Sequence, residues 1–387
     1  MGSVSEERRT MAVACGAHVL HDGFTDLLYV LLPLWQAEFG LGYAEVGVLR
    51  AFYAGSMASF QMPAGALANR FGGPLLLALG TALAAIGYLI AGVSSGFALL
   101  AIALVIGGVG SSTQHPIAAN LVAHAFAGGR SRTALASYNF SGDLGKMALP
   151  AATAWLVAMM PWRSTTMVLG TVGILAAFAV LLSRMPRDLG NAVQNAAADV
   201  SAGQSAGYGF ALLLSIGIID SATRMGFLTF LPFLLRMKGA DLPMVGAALT
   251  LIFAGGAAGK LVCGFLGARL GVVRAVFVTE GLTAAGILAL VPLPLVAGLA
   301  VLPLIGVALN GTSSVLYGTV PELVTPEGRQ RAFSLFYTGA IGAGALSPAL
   351  YGLVSDAAGV PLMMGLIAGV VLVTLPLAWA LRPALPA

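Results

Sequence analysis

Charge is scarce in this sequence. Asp, Glu, Lys and Arg make up 9% of its 387 residues, while apolar residues reach 58%. A soluble globular chain carries roughly 25% charged residues, so that class is excluded. Segments of about ten residues with alternating polarity are also missing, and with them the pattern of a membrane β-barrel. Cysteine is nearly absent: Cys15 and Cys263 fall in apolar runs, match no zinc or redox spacing, and read as packing residues. There is no G-x-x-x-x-G-K-[ST] loop, which argues against direct ATP drive. There is no H-E-x-x-H either, the ligand set a metal-dependent intramembrane hydrolase would want. Nothing in the chain calls for a cofactor or a resident metal.

Long apolar runs take the place of all this. Twelve lie near the ~20 residues that cross a bilayer as a helix: 11–39, 43–69, 74–95, 97–124, 131–158 and 164–184, then 208–237, 241–268, 272–291, 294–321, 330–355 and 359–381. The run after the polar start MGSVSEERRT is too long for a signal-peptide core, so the first span is expected to be retained. Sorted by loop, twelve of the nineteen basic residues lie on the side of the N-terminus, three on the other side and four within spans. The positive-inside rule then makes both termini cytoplasmic in a multi-pass protein of the bacterial inner membrane. It also leaves the net charge of +4 with no need of a nucleic-acid partner.

The polar stretch RMPRDLGNAVQNAAADVSAGQSAGYG divides the spans six and six. The expected organisation is a six-helix bundle at 1–184, a cytoplasmic linker at 185–207 and a second bundle at 208–387. At an offset of 199 residues the halves share Pro33/Pro232, Gly47/Gly246, Gly65/Gly264, Arg70/Arg269, Gly72/Gly271, Gly107/Gly306, Arg130/Arg329, Arg132/Arg331 and Tyr138/Tyr337. Such a register marks parallel repeats.

The turns GALANRFGG (65–73) and GFLGARLGV (264–272) resemble the signature of the major facilitator superfamily. Asn69 stands where that signature usually has an aspartate. AHVLHDGFTDLLYVLLPLWQAEFGL, GVGSSTQHPIAANLV and GGRSRTALASYNFSGDLGK resemble the fosmidomycin-resistance branch of the same superfamily, over roughly residues 15 to 150. Span 5 departs from that branch, with Gly145-Lys146 where drug antiporters tend to show Gly-Pro. The resemblance implies twelve helices in two six-helix pseudo-repeats, with span 1 lining a central cavity, and it implies a transporter, with efflux by antiport ahead of uptake.

Ionisable residues present in only one half need a reason other than the shared fold. His18, Asp22 and Asp26 follow i, i+4, i+8 and so occupy an arc of about 80° on one helix face. Intramembrane carboxylates by default mark pathways or proton relays, so these three, with His21, are the proton-coupling candidates. His21 points partly off that face and reads equally as a packing histidine. In span 4, Ser111 to His115 precede Pro116, where hydroxyls can satisfy the carbonyl a proline frees; His115 is the candidate substrate contact. Asp143 with Lys146 and Asp220 with Arg224 have the spacing of pairs. Inert neutral pairs and substrate-opened switches are both open readings of them. Lys260, Tyr317 and Tyr337 complete the substrate candidates. Arg50, at the outer end of span 2, reads as a snorkelling or gating residue. It joins Gly65, Asn69, Arg70, Gly264, Arg269, Arg130 and Arg329 in the gating and structural set. Glu280, in a span that is peripheral in the resembled fold, is assigned to structure.

The expected activity is that of a monomeric, proton-coupled secondary transporter for a small anionic or zwitterionic solute, working by alternating access. Uptake of a small organic anion by proton symport is the alternative. Metal-ion transport and intramembrane hydrolysis are the remote ones.

Overall fold

The computed structural model describes residues 4–126, 130–183, 185 and 207–385. Most of the expected linker, with Arg184 and Arg187, lies outside the described residues. Every regular element among the described residues is helical, as it must be where lipid offers the backbone no hydrogen-bond partner. In chain order they are α1 (Val4–Phe39), α2 (Tyr43–Phe71), α3 (Gly73–Gly92), α4 (Phe97–Ser111), α5 (Gln114–Ala125), α6 (Arg130–Met159) and α7 (Trp162–Leu182). Then follow α8 (Tyr208–Met237), α9 (Leu242–Leu290), α10 (Leu295–Thr319), α11 (Arg329–Ala358), α12 (Val360–Leu372) and α13 (Thr374–Leu381).

These helices make the twelve expected crossings, with three differences in detail. Span 4 is broken at Ser112–Thr113 into α4 and α5, because Pro116 has no N–H for the carbonyl one turn earlier. At the break, Ser112 and Thr113 donate their hydroxyls back to Val109 O at 2.6 Å and Gly110 O at 3.0 Å. Spans 8 and 9 follow one another within α9 and are separated at Gly271, whose backbone is not helical (φ 76°, ψ 165°). Span 12 changes course at Val373, between α12 and α13. Among the described residues, nine stretches are long and apolar enough to cross a membrane by length and composition. The crossings outside that set are α1, α2 and α6.

The chain divides into two compact units, Met1–Leu41 with Leu49–Ala198, and Gly42–Val48 with Asp199–Ala387. In the first, α1 packs along α6 and α5, and α3 along α7 and α4. Leu77, Ile117, Leu121, Tyr138 and Val180 belong to one buried cluster there. In the second, α8 packs along α11 and α9 along α10, around Phe210, Ile216, Val276, Leu316 and Phe336. Lipid tails are as apolar as leucine, so close packing, and the small residues that permit it, must hold such helices together. A Cβ on Gly145 of α6 would meet backbone atoms of Val19 on α1, and one on Gly344 of α11 would fall 2.7 Å from Ser221 Oγ on α8. These two glycines are 199 residues apart. So are Gly40 and Gly239 (φ 62° and 88°) and Gly72 and Gly271 (φ 93° and 76°), which end helices in the left-handed region only glycine enters freely.

Candidate functional site

In the first unit, α1, α5 and α6 bring four ionisable side chains together. Asp22 is buried, with 7% of its surface exposed. Its Oδ2 lies 3.4 Å from Lys146 Nζ and 3.4 Å from His18 Nε2, and its Oδ1 lies 3.6 Å from His115 Nε2. Gly142 on α6 makes room for the group, since a Cβ there would fall 2.6 Å from both Asp22 Oδ2 and His18 Nε2.

The hydrogen bonds of His18 decide which of its nitrogens is protonated. Nδ1 lies 2.8 Å from the Tyr138 carbonyl, while the ring stacks on Tyr138 at 4.2 Å. A carbonyl only accepts, so Nδ1 must carry the hydrogen. In a neutral His18 the Nε2 that faces Asp22 is then a bare lone pair, opposite a carboxylate. The contact is attractive only when a proton sits between them, on the imidazole or on the carboxyl.

His21 is not part of this group. Thr81 spends its hydroxyl hydrogen on Leu77 O at 2.7 Å, so His21 Nε2 donates to Thr81 Oγ1 at 2.9 Å. His21 Nδ1 is buried without a hydrogen-bond partner, which makes this a neutral packing histidine against α3. Asp26 also belongs elsewhere. It is buried and acts electrostatically on Arg50 and Tyr53. Arg50 corrects the sequence reading: it does not snorkel but is 2% exposed, donating to Tyr29 Oη at 3.3 Å and lying over the Tyr29 ring at 5.2 Å. Its length lets it reach inward from α2 to aromatic faces and an acid, rather than outward to water.

The broken span supplies further polar groups. Ser111 Oγ lies 2.7 Å from Tyr53 Oη, and Gln114 donates to Tyr138 Oη at 3.2 Å. Asp143 is buried one turn before Lys146. Lys146 itself is half-buried and reaches across to Asp22 on α1, a partner its spacing to Asp143 did not reveal. Ahead of the first span, Arg130 donates twice to Glu7, at 3.0 and 2.7 Å, and holds that carboxyl below the usual carboxylate range.

In the second unit, Asp220 is buried on α8 and feels Arg224 one turn on. Glu280 of α9 also acts on it. Glu280, assigned to structure from the sequence, is 1% exposed. The only signal for it in the sequence was a single acid in an apolar span. Lys260 is exposed, and Tyr317 packs on Phe333 at 4.9 Å with 46% of its surface open. Tyr337 is exposed on α11. Of the signature residues, Gly65 is buried in α2, and Asn69, Arg70, Arg269 and Arg329 are exposed; Gly264 lies within α9. Arg70 covers the Phe71 ring at 5.3 Å.

The ligand atoms of His18, Asp22 and His115 lie within 4.8 Å of one another, close enough to hold a metal ion. The Lys146 ammonium on the same carboxylate opposes one, because it already places a positive charge there.

Known proteins point the same way. Over 142 residues, 37% of this chain and 35% of the relative, the sequence is 25% identical to the fosmidomycin resistance protein of Escherichia coli strain K12. Over 157 residues, 40% of this chain and 27% of the relative, it is 29% identical to an uncharacterized MFS-type transporter of Mycobacterium tuberculosis. The chain thus spans about a third of the length of the curated relatives it matches. A bacterial homologue of the human lysosomal transporter Spinster, in an inward-facing, occupied conformation, has the same fold. Its TM-score is 0.83 at 16% identity, over 99% of this chain and 98% of that one. A variant of the nucleoside transporter NupG also shares it, with a TM-score of 0.79 at 14% identity over 97% and 99% of the two chains. The M. tuberculosis protein and NupG are transporters by name. The pattern that defines the Major Facilitator Superfamily matches residues 14–215 and 213–387, and the chain belongs to that family.

Proposed function

We propose that this transporter exchanges protons for a small anionic or zwitterionic solute, exporting it by alternating access. It works as a monomer in the bacterial inner membrane, with both termini cytoplasmic. The observation that carries the reading is the 3.4 Å approach of His18 Nε2 to Asp22 Oδ2, directly beside the Lys146 ammonium. A hydrogen-bond donor or cationic group on the solute takes the Asp22 carboxylate while its anionic end meets Lys146. A proton arriving at Asp22 displaces that donor, and exchange follows. Arg224 supplies a second cation in the second unit, and His115, Asp143 and Asp220 supply polar contacts in the two units. Lys260, Tyr317 and Tyr337 stand on open surface of the second unit, where neutral and cationic contacts are available to a solute. Asp26, beside Arg50, is the second protonation candidate.

Proteoliposomes with an imposed pH gradient test this, with fosmidomycin and a panel of small anions and zwitterions as probes. Asp22→Asn and Asp26→Asn are expected to abolish gradient-driven movement while counterflow exchange partly survives. Retained gradient-driven accumulation in both variants defeats the reading.

One contact favours a second reading. Because Lys146 is paired with Asp22, protonating the carboxyl also frees the ammonium for an anion, so proton and anion would travel together as in uptake by symport. The direction of the pH gradient that drives the probe separates the two.

A further inference from the structure

Electron-pair donors converge on one point in the first unit. A neutral His18 gives its Nδ1 hydrogen to the Tyr138 carbonyl at 2.8 Å, so its Nε2 lone pair faces Asp22 Oδ2 at 3.4 Å. His115, on α5, brings its own Nε2 to 3.6 Å from Asp22 Oδ1. The two rings stand nearly perpendicular, at 86° with centres 5.3 Å apart, and both turn a nitrogen edge to the same carboxylate. No spacing motif marks the set, because His115 comes from a different helix than His18 and Asp22.

A metal cation would satisfy all three groups at once. Tetrahedral zinc, with ligands at about 2.0–2.1 Å, holds its ligand atoms about 3.3–3.4 Å apart. The separations to Asp22 are 3.4 and 3.6 Å, and the three ligand atoms, one from each residue, all lie within 4.8 Å of one another. The His115 side chain is 42% exposed, which leaves it free to turn and close the widest gap. A histidine that ligates a metal usually donates its other ring N–H to a carbonyl or carboxylate, as His18 does to Tyr138, and this fixes its tautomer and orientation. Two imidazoles and a carboxylate suit a transition ion better than magnesium or calcium, which favour all-oxygen shells. Lys146 Nζ, 3.4 Å from Oδ2, is the opposing charge; its side chain is one-third exposed and can withdraw.

We propose that His18, Asp22 and His115 bind one divalent transition-metal ion of the zinc class, which displaces Lys146 from the carboxylate as it enters. Three protein ligands leave a fourth position open to water or to a group on a solute. The site stands on the geometry of α1, α5 and α6 and not on the exchange proposed above. Within that exchange a bound ion would inhibit, because it holds the carboxylate that a proton must reach.

Calorimetric titration of the tag-free, full-length protein in lipid nanodiscs with zinc chloride tests it. Cobalt(II) chloride is the second probe, because its visible absorption strengthens on tetrahedral coordination. One ion per chain is expected, and excess magnesium should not displace it. His18→Gln and His115→Gln should each weaken binding by at least about tenfold, the least that losing even a supporting partner of a ligand costs. Lys146→Gln should tighten it by about tenfold or more, since a neutral neighbour no longer repels the ion. His124→Gln, at an exposed histidine outside the site, should leave it unchanged. No binding to the wild type overturns the proposal. So does binding that His18→Gln or His115→Gln leaves unchanged, that His124→Gln removes, or that Lys146→Gln fails to tighten. Thermal unfolding shows that each variant is folded, and if His18→Gln is not, the comparison rests on His115→Gln and Lys146→Gln. The exchange reading is scored apart from this, by gradient-driven flux with no metal added.

Discussion

Gly145→Ala is the sharpest test of how the first unit holds its ionisable group. A methyl at Gly145 would place a carbon 2.8 and 2.9 Å from the carbonyl carbon and Cα of Val19, with the Val19 carbonyl oxygen closer still. Carbon atoms pack best at about 3.5–4.0 Å, so α1 and α6 must separate by about 1 Å. Every atom in the way is backbone, so no rotamer change relieves the clash. The same shift would stretch the 2.8 Å bond from His18 Nδ1 to the Tyr138 carbonyl past hydrogen-bond range. Overpacking of this kind costs about 1–3 kcal/mol, and a buried imidazole left unbonded about 1–3 more. The prediction is a loss of about 2–6 kcal/mol, the sum of those two ranges, together with loss of proton-coupled transport.

Gly342→Ala is the matched control. A Cβ on Gly342, in helix α11, meets nothing within 4 Å. Replacing a helical glycine by alanine there should be neutral or stabilise by about 0.5–1 kcal/mol. Thermal unfolding of the two variants in lipid nanodiscs gives the comparison. Equal melting temperatures would show that the α1–α6 approach does not organise the site.

Lys146→Gln leaves Asp22 buried without its cation. A broken buried pair costs about 3–5 kcal/mol, but Lys146 is one-third exposed, so about 1–3 kcal/mol is expected, with most of it restored in Asp22→Asn/Lys146→Gln. Additive losses in that thermal-unfolding cycle would mean the pair is not coupled. Arg130 holds the folded-state Glu7 carboxyl low, so the pair stabilises the chain above the unfolded carboxylate value of about 4.3 and loses that effect as pH falls through the lower folded value. The melting difference between wild type and Glu7→Gln should therefore be steady from about pH 7 to 5 and shrink below about pH 4. It should also narrow in high salt, because the Arg130 side chain is largely exposed. A pH-independent difference refutes that account.

Composition and apolar run length were enough to read the fold, because lipid leaves a spanning backbone no choice but the helix. The repeat was legible through residues that backbone geometry demands, such as Gly72 and Gly271 with their positive φ. The site was legible only in part. The i, i+4, i+8 spacing put His18, Asp22 and Asp26 on one face, yet eight residues along a helix is far enough to change neighbours. Asp22 meets α5 and α6, while Asp26 meets Arg50. Helical spacing says which residues share a face and nothing about what another helix brings to it. For that reason the sequence pairs Lys146 with Asp143 rather than Asp22, and does not show Arg50 lying over the Tyr29 ring.

Those misses share a cause that the 199-residue register exposes. His21 and Thr81 of the first unit stand at the positions that Asp220 and Glu280 hold in the second. Each pair lies on the first and third spans of its half, one as a neutral imidazole and hydroxyl joined at 2.9 Å, the other as two buried carboxyls. The packing requirement is thus met in the first unit without any ionisable acid. Two carboxyls at the matching place exceed what packing needs, and they bring a desolvation cost that an imidazole–hydroxyl bond avoids. The reverse holds one residue later, where Asp22 faces Ser221. Each half therefore keeps the repeated glycines that let its helices meet and spends its buried charge at a different register position. Duplication preserved the contacts between helices, and the chemistry lies where the two copies disagree.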